Sequence, residues 1–495
     1  LQKNLKGAIN KLIGLYILYA VLACLAALII YMVIKTALCK PKKFVSDYKP
    51  PEIDKDEIVG ILQNAIRIPT VTKFNEGDDQ SSFLVYHEYL KKTFPEIFKR
   101  AEVTIINKYS LIIKIKGTDE SLLPGCMLAH QDVVPVVRED WSVEPFEGEI
   151  RDGYIYGRGS QDMKSQTMTE LYGLELLLRE GKEPKRTIYF CFGHDEEATG
   201  KEGAKYIVKY LEENKIRFEF LIDEGGTIID GTLLGVKRKV ALIGICEKGY
   251  VDYMLTAEKD GGHASAPKKE SSVDAIADAI HDLRRSPRKA HWTAPLKETF
   301  STLAPYMPPV LKFLCVNRAV FGGLLKKILC TVNPMANSAL RTTFAFTELH
   351  GSTAPNVIPA KATAIVNTRI ITGENQKEIV KYMQKVVGKS IHIDVYGEGF
   401  DPAPVSSTKG SFAYENLVKS AYEIFDGYAV APYPFIATTD SKRYYGLCSN
   451  IYRFTPFEMT LGDQKRLHGV DERCNIEFLV KAAQYFRRFY ENTCY

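Results

Sequence analysis

The chain has 495 residues, a formal net charge of +5, and hydrophobic and charged fractions of 45% and 25%. The length exceeds one compact core, so two or three domains are expected, and the composition is that of an ordinary globular protein. Basic residues are scattered, which excludes a nucleic-acid footprint; ten cysteines with no Cys-x-x-Cys spacing exclude a disulfide scaffold.

Residues 12–34 carry no charge and are rich in Leu, Ile, Ala and Tyr. About 20 such residues span a hydrocarbon core. A signal peptide has a shorter apolar core ending in a small-residue cleavage site, and a buried core helix keeps a polar face, so a single-pass membrane anchor is expected. Lys3, Lys6 and Lys11 precede this run, and Lys35, Lys40, Lys42 and Lys43 follow it. That bias points toward a cytoplasmic catalytic domain. No Asn-x-Ser/Thr acceptor occurs, which is unusual for a long glycosylated ectodomain. The first residue is Leu1 rather than Met, so the native amino terminus is expected upstream.

Residues 47–57 form a Pro- and charge-rich linker. Helices are predicted at 58–66, 82–94, 167–179 and 203–212, and strands at 103–106, 110–115, 187–192 and 218–222. Strands alternating with helices imply an α/β fold, a sheet covered by helices with ligands at the strands' carboxyl ends. After residue 240 the texture changes. Residues 251–257, 340–346 and 361–370 read as strands, and 273–285 and 376–387 as helices. Two helices with about four antiparallel strands make a separate α+β unit whose helices cover one sheet face. Strand–helix alternation then resumes, so this unit reads as inserted. The predicted divisions are a segment 1–45 with the membrane helix at 12–34, a catalytic domain over 46–246 and 374–495, and the insert at 247–373. Cys126, Cys191 and Cys246 sit in apolar runs and are expected as buried free thiols. A luminal domain would leave room for one or two disulfides through Cys474 or Cys494.

Acidic residues and histidines cluster just past apolar runs. His130 and Asp132, in Met127-Leu128-Ala129-His130-Gln131-Asp132, are two apart and point the same way on a strand. Histidine binds zinc through a neutral ring nitrogen, and a neighbouring carboxylate can fix its tautomer. Asp162 follows Gly157-Arg158-Gly159 and precedes a helix, a placement that also suits an N-cap; its two oxygens could bridge two cations. Glu196 and Glu197, after Phe190-Cys191-Phe192-Gly193-His194-Asp195, diverge at a strand end, so one could bind metal while the other faces water. Asp223, in Leu221-Ile222-Asp223-Glu224-Gly225-Gly226, ends another strand before two glycines that allow close backbone approach. His468 lies in Arg466-Leu467-His468-Gly469-Val470-Asp471-Glu472. Each residue alone has a bland reading: a surface pair, a cap or a solvated carboxylate. Together they suffice for two metals sharing one carboxylate, with a free carboxylate as general base.

These motifs resemble the zinc metallopeptidase family that includes carboxypeptidase S, carboxypeptidase G, aminoacylase and the acetylornithine and succinyl-diaminopimelate deacylases. The likeness runs from about 58 to 489, and its texture is nearest to carboxypeptidase S and the N-fatty-acyl-amino-acid synthase/hydrolase branch. It implies two Zn2+ per subunit. His130, Asp162 and Asp223 would hold one, and Asp162, Glu197 and His468 the other. Glu196 would be the general base, and Asp132 would orient His130. The catalytic domain would be three-layered with a mostly parallel sheet, and the insert a lid and dimerisation domain. Gly261-Gly262-His263-Ala264-Ser265-Ala266-Pro267 resembles the lid motif whose histidine, here His263, stabilises an oxyanion in a partner subunit's site. Asn356 and Arg369 resemble residues that hold the substrate's carboxylate, a role that suits Arg because its fork is bidentate; a structural salt bridge is the competing reading of Arg369. Thr439 and Asp440, in Thr438-Thr439-Asp440-Ser441, resemble the loop closing the amino-acid end of the site.

The resemblance thus implies a carboxypeptidase or N-acyl-amino-acid hydrolase, with a short peptide or an N-acyl amino acid as substrate and a luminal or extracellular active site. A homodimer would form through the lid. The alternatives are an inactive binding protein or receptor on the same scaffold, and a single-metal aminopeptidase. Residues 306–330 are unusually apolar. They are expected either as lid core or dimer packing, or as an apolar wall that receives an acyl chain or touches the bilayer.

Overall fold

The computed structural model describes residues 2–41, 44–72, 80–332 and 334–495. Lys42 and Lys43, two of the lysines weighed for orientation, lie outside the described residues, as does the side chain of Lys3. Helix α1 (Gln2–Leu38) contains Ile9–Leu38, a segment long and apolar enough to cross a membrane. Its described side chains are exposed along most of its length, whereas Met32 is buried. Helix α2 (Lys55–Ile66) starts at Asp54, whose carboxylate accepts from the backbone N–H groups of Asp56 and Glu57.

Strands β1 (Ala101–Ile106) and β2 (Ser110–Ile115) form a hairpin, followed by β3 (Gly125–His130), helix α3 (Lys164–Arg179), β4 (Ile188–Gly193), helix α4 (Ala204–Glu213), β5 (Phe220–Asp223), β6 (Ile228–Asp230) and β7 (Lys239–Glu247). Strands β3 and β4 are buried on both faces, as their unbroken apolar runs require. Residues on β3 and β4 alternate between two cores. Met127, Ala129, Phe190 and Phe192 meet α3 on one side; Cys126, Leu128, Tyr189 and Cys191 meet α4 on the other.

The chain then builds a second body from β8 (Gly249–Glu258) and α5 (Ser272–Arg285), the latter opened by a Ser271–Asp274 capping box. Four helices follow: α6 (Ala294–Leu303), α7 (Pro309–Val316), α8 (Arg318–Val332) and α9 (Pro334–Leu340). Strands β9 (Thr343–His350) and β10 (Lys361–Ile370), helix α10 (Gln376–Val387) and strand β11 (Ile391–Phe400) complete this body. Its sheet is antiparallel in the order β9-β10-β8-β11. Val251, Tyr253 and Leu255 of β8 pack beneath Ile276 and Leu283 of α5 and Ile379 and Met383 of α10.

Helix α11 (Phe412–Ile424), strands β12 (Ala429–Phe435) and β13 (Ile451–Arg453), and helix α12 (Ile476–Thr493) return to the first body. Among the described residues its sheet runs β1-β2-β4-β3-β5-β13-β7-β12, with β6 paired to β7. The centre, β4-β3-β5-β13, is parallel, while β1, β2 and the β13–β7 seam are antiparallel. Strand β13 therefore fills the middle of the sheet from a point far along the chain. Helices α2, α3, α11 and α12 cover one face around a single core.

One boundary and one packing assignment differ from expectation. The second sheet takes its last strand from 391–400, beyond the predicted limit at 373. That strand is largely exposed, so it has no buried stripe to mark it in sequence. Residues 306–330 lie in the insert by chain position but do not form the core of its sheet. Leu296, Phe300, Leu303, Met307, Cys315 and Leu325 instead pack on Val240 and Leu242 of β7 and Ala429 and Ala431 of β12. All ten cysteines are free; Cys126, Cys191 and Cys246 are buried, as are Cys474 and Cys494.

Candidate metal centre

The parallel centre of the sheet aims its carboxyl ends at one place. His130 closes β3, and its ring is buried. Its Nδ1 lies 3.0 Å from the backbone oxygen of Asp132 and 3.3 Å from that residue's Oδ1. Asp132 is fully buried and ties several parts of the rim together. Its carboxylate accepts from the hydroxyl of Thr72 and from the backbone N–H groups of Glu196 (3.2 Å) and Glu197 (3.1 Å). One side chain thus orients the His130 ring and pins the turn that carries the two glutamates.

Asp162 sits at the centre. Oδ1 lies 2.9 Å from His130 Nε2, and Oδ2 lies 3.0 Å from His468 Nε2. His468 Nε2 is also 3.2 Å from Glu197 Oε2. The two oxygens of one carboxylate therefore face two different imidazoles, the arrangement a bridging ligand needs. Donor atoms of His130, Asp162 and Glu197 converge within 4.8 Å of one another, and so do those of His130, Glu196 and Glu224.

The electrostatics have one origin. Burial opposes charging His130, but its hydrogen bonds to Asp132 and Asp162 outweigh burial and hold its pKa well above the usual value. Asp162, and then Glu197, push His468 up to about 10. Burial raises Glu197, with the charge of Asp162 adding to it and His468 opposing. Glu196 and Glu224 are raised well above the ordinary carboxylate range, first by burial; the charge of Asp162 adds for Glu224 and that of Asp440 for Glu196. Glu197 Oε1 is buried with no hydrogen-bond partner among the described residues. Several carboxylates facing one another in a desolvated pocket are costly unless a cation sits among them. Oxygen and imidazole donors at this spacing suit zinc or a similar divalent ion, so the residues fit a metal.

A buried pair braces the cluster from behind. Glu472 Oε1 accepts from the backbone N–H groups of Gln161 (2.7 Å) and Asp162 (3.1 Å), and Oε2 receives Arg158 Nη1 at 2.5 Å. Arg158 Nη2 donates to Gly469 O, next to His468. The backbone under Asp162 and the loop carrying His468 are therefore one connected unit.

Asp223 is placed differently from its expected partners. It is buried at the end of β5, and its oxygens accept from the backbone N–H groups of Glu224 and Ser441. Its neighbour Glu224 is the carboxylate that faces His130, at 3.6 Å. The two glycines beyond act as expected at Gly226, where a Cβ would lie 2.1 Å from Leu242 O.

The remaining residues split between the two bodies. His263 and Asn356 meet on the second body: His263 pairs with Val357, and Ala264 N–H donates to Asn356 O. His263 is exposed, with Nδ1 at 2.7 Å from Ser265 Oγ. Arg369 stacks over the Tyr250 ring at 4.7 Å and reaches Thr438 Oγ1 on the first body at 3.4 Å. No carboxylate salt bridge holds it among the described residues, against the structural reading of this arginine. Thr439 hangs by its N–H and hydroxyl on Glu247, which also receives Arg453 Nε at 3.1 Å. Asp440 is buried against the turn of Gly193 and Gly200, and burial raises its pKa to about 7. Sequence reasoning gave no role to Glu224, Glu472, Arg158, Glu247 or Arg453. Glu224 adjoins a chosen residue, and the charged pairs join residues hundreds of positions apart.

The model of peptidase family M20/M25/M40 matches residues 126–492. The chain is 35% identical over 446 residues to N-fatty-acyl-amino acid synthase/hydrolase PM20D1 of Xenopus tropicalis, covering 89% of this chain and 87% of that protein. It is 36% identical over 460 residues to probable carboxypeptidase S-like 2 of Dictyostelium discoideum, covering 90% and 88%. Among solved structures, the M20 family metallo-carboxypeptidase Sso-CP2 from Sulfolobus solfataricus shares the fold with a TM-score of 0.65 at 18% identity, covering 89% of this chain and 99% of that one.

Proposed function

The chain belongs to peptidase family M20/M25/M40, a hydrolase family, and on that premise we propose that it cleaves the amide bond beside a free α-carboxylate, in a short peptide or an N-acyl amino acid. The observation that carries this reading is Asp162, with an imidazole against each of its oxygens and a ring of carboxylates around it. Two zinc ions are proposed, held by His130, Asp162, Glu197, His468 and one carboxylate of the Asp223–Glu224 pair; they would polarise the carbonyl and make a water acidic. The resemblance in sequence points to Asp223 in that pair, while Glu224 faces His130. Metal counting on Asp223→Asn and Glu224→Gln assigns the donor, because the variant that loses it binds one ion fewer.

Glu196 takes a proton from the attacking water as the new C–O bond forms. It delivers that proton to the departing nitrogen as the C–N bond breaks. Asp132 keeps the His130 tautomer and the Glu196 backbone in place throughout. Arg369 receives the substrate's carboxylate, aided by Asn356, with the Thr439–Asp440 loop closing that end. His263 donates to the oxyanion from the lid of a second copy. Helix α1 is proposed as a single-pass anchor. The family resemblance supports a luminal or extracellular active site and the lysine bias a cytoplasmic one; protease protection in sealed vesicles assigns the side.

Substrates with one end blocked test the reading. Blocking the carboxylate as an amide is expected to lower kcat/KM at least 100-fold, because Arg369 loses its bidentate partner, while acylating the amine preserves turnover. Chelation should abolish activity and lower Tm, and zinc should restore both. Equal rates on carboxyl-blocked substrates would sink the carboxylate assignment. A requirement for a free amine would point to an aminopeptidase instead.

A further inference from the structure

Helices α7 and α8 have an inner face packed on the first body and an exposed outer one. The inner face, with Cys315, Leu325 and Leu340, closes the core over β7 and β12. On the outer face Val320, Leu324, Ile328 and Val332 are spaced four apart along α8 and are 54%, 52%, 43% and 70% exposed. Val310 on α7 is exposed as well, at 75%. Four residues at that spacing make one continuous apolar ridge roughly 18 Å long.

The place of this ridge is set by the anchor helix. Asn317, buried between α7 and α8, donates to Met32 O at 3.4 Å and to Thr36 Oγ1 at 3.1 Å. The α7–α8 junction is therefore fastened to α1 where its uncharged run ends. That run, at about 1.5 Å per residue, is roughly 34 Å long, close to the ~30 Å hydrocarbon thickness of a bilayer. A helix fastened at its end is held at the depth of the headgroups.

Charge selects the occupant. Between Glu298 and Glu348 there is no acidic residue, and the basic ones are Lys312, Arg318, Lys326, Lys327 and Arg341. Arg318 and Lys326 donate to the backbone oxygens of Lys297 and Ala290, but none of the five has a carboxylate partner among the described residues, and a segment of one charge sign disfavours pairing with a second copy of the same face and favours an anionic lipid surface. We propose that α7, α8 and α9 form a foot that lies on the bilayer beside α1, with the Val320–Val332 ridge entering the acyl-chain boundary and Lys312 and Lys327 meeting the headgroups. This rests on the reading of α1 as a membrane span.

The test uses the full chain in nanodiscs of phosphatidylcholine and phosphatidylserine containing a phospholipid with a diazirine on one acyl chain. After illumination, labelled peptides are mapped by mass spectrometry. Label is expected on α1 and on residues 309–335, and not on the exposed Leu84–Val85 surface. The variant L324E/I328E should lose at least fivefold of the 309–335 label and keep that on α1. Label on α1 alone would overturn the foot and leave the span intact. No label on either would fail the span itself, and the foot with it.

Discussion

Glu196→Gln is expected to lower turnover by about 10³–10⁴-fold while the protein keeps its full metal content. The substitution is nearly isosteric, so it preserves the turn that Asp132 holds through the N–H groups of Glu196 and Glu197. What it removes is the capacity to accept a proton. Burial and the neighbouring negative charges of Asp440 and Glu197 favour protonation of this carboxylate, which fits a group that gains and then releases a proton. Steady-state kinetics and metal analysis of the same preparation check the result together. Glu196 also stands in one donor group with His130 and Glu224. A variant that lost an ion along with activity would make Glu196 a ligand and end its role as base.

Arg158→Met is expected to destabilise the first body by about 3–5 kcal/mol, because it leaves Glu472 buried without its counter-charge. Metal affinity should fall by about 10–100-fold in the same variant, since Arg158 and Glu472 together fix the Asp162 backbone and the His468 loop. The double variant R158M/E472M separates the two effects. Removing both charges should recover much of the lost stability. It should not recover affinity, because the N–H groups of Gln161 and Asp162 then lack their acceptor. Chemical denaturation and competitive metal titration give the two readouts. An affinity restored in the double variant would show that the pair serves stability alone.

His130, Asp162, Glu196, Glu197 and His468 were legible in the sequence because each follows an apolar run, glycine turn or loop that could be placed without coordinates, and all five meet in the structure. The choice between Asp223 and Glu224 was not legible in the same way. Alternation assigns facing only while the strand continues, and β5 ends at Asp223. Which of two adjacent carboxylates turns inward then depends on the loop and on Ser441, more than two hundred residues away. The helices at 294–340 show the same limit. Their apolar residues were visible, but a hydrophobic stripe does not say which sheet it will cover. The predicted insert had the right texture, and its end was misplaced because β11 is an edge strand with little buried surface.

The strand at the middle of the first sheet is supplied by residues 451–453, and the long helix on its face by 476–493. During synthesis the ribosome must therefore deliver the entire second body before β5 gains its second neighbour. Until then the edges of β5 and β7 stand open, the state most exposed to mispairing and to chaperone capture. A nascent or prematurely terminated polypeptide holds His130, Asp162 and both glutamates but no closed sheet beneath them. Hydrolytic competence is thereby postponed to the final stage of translation.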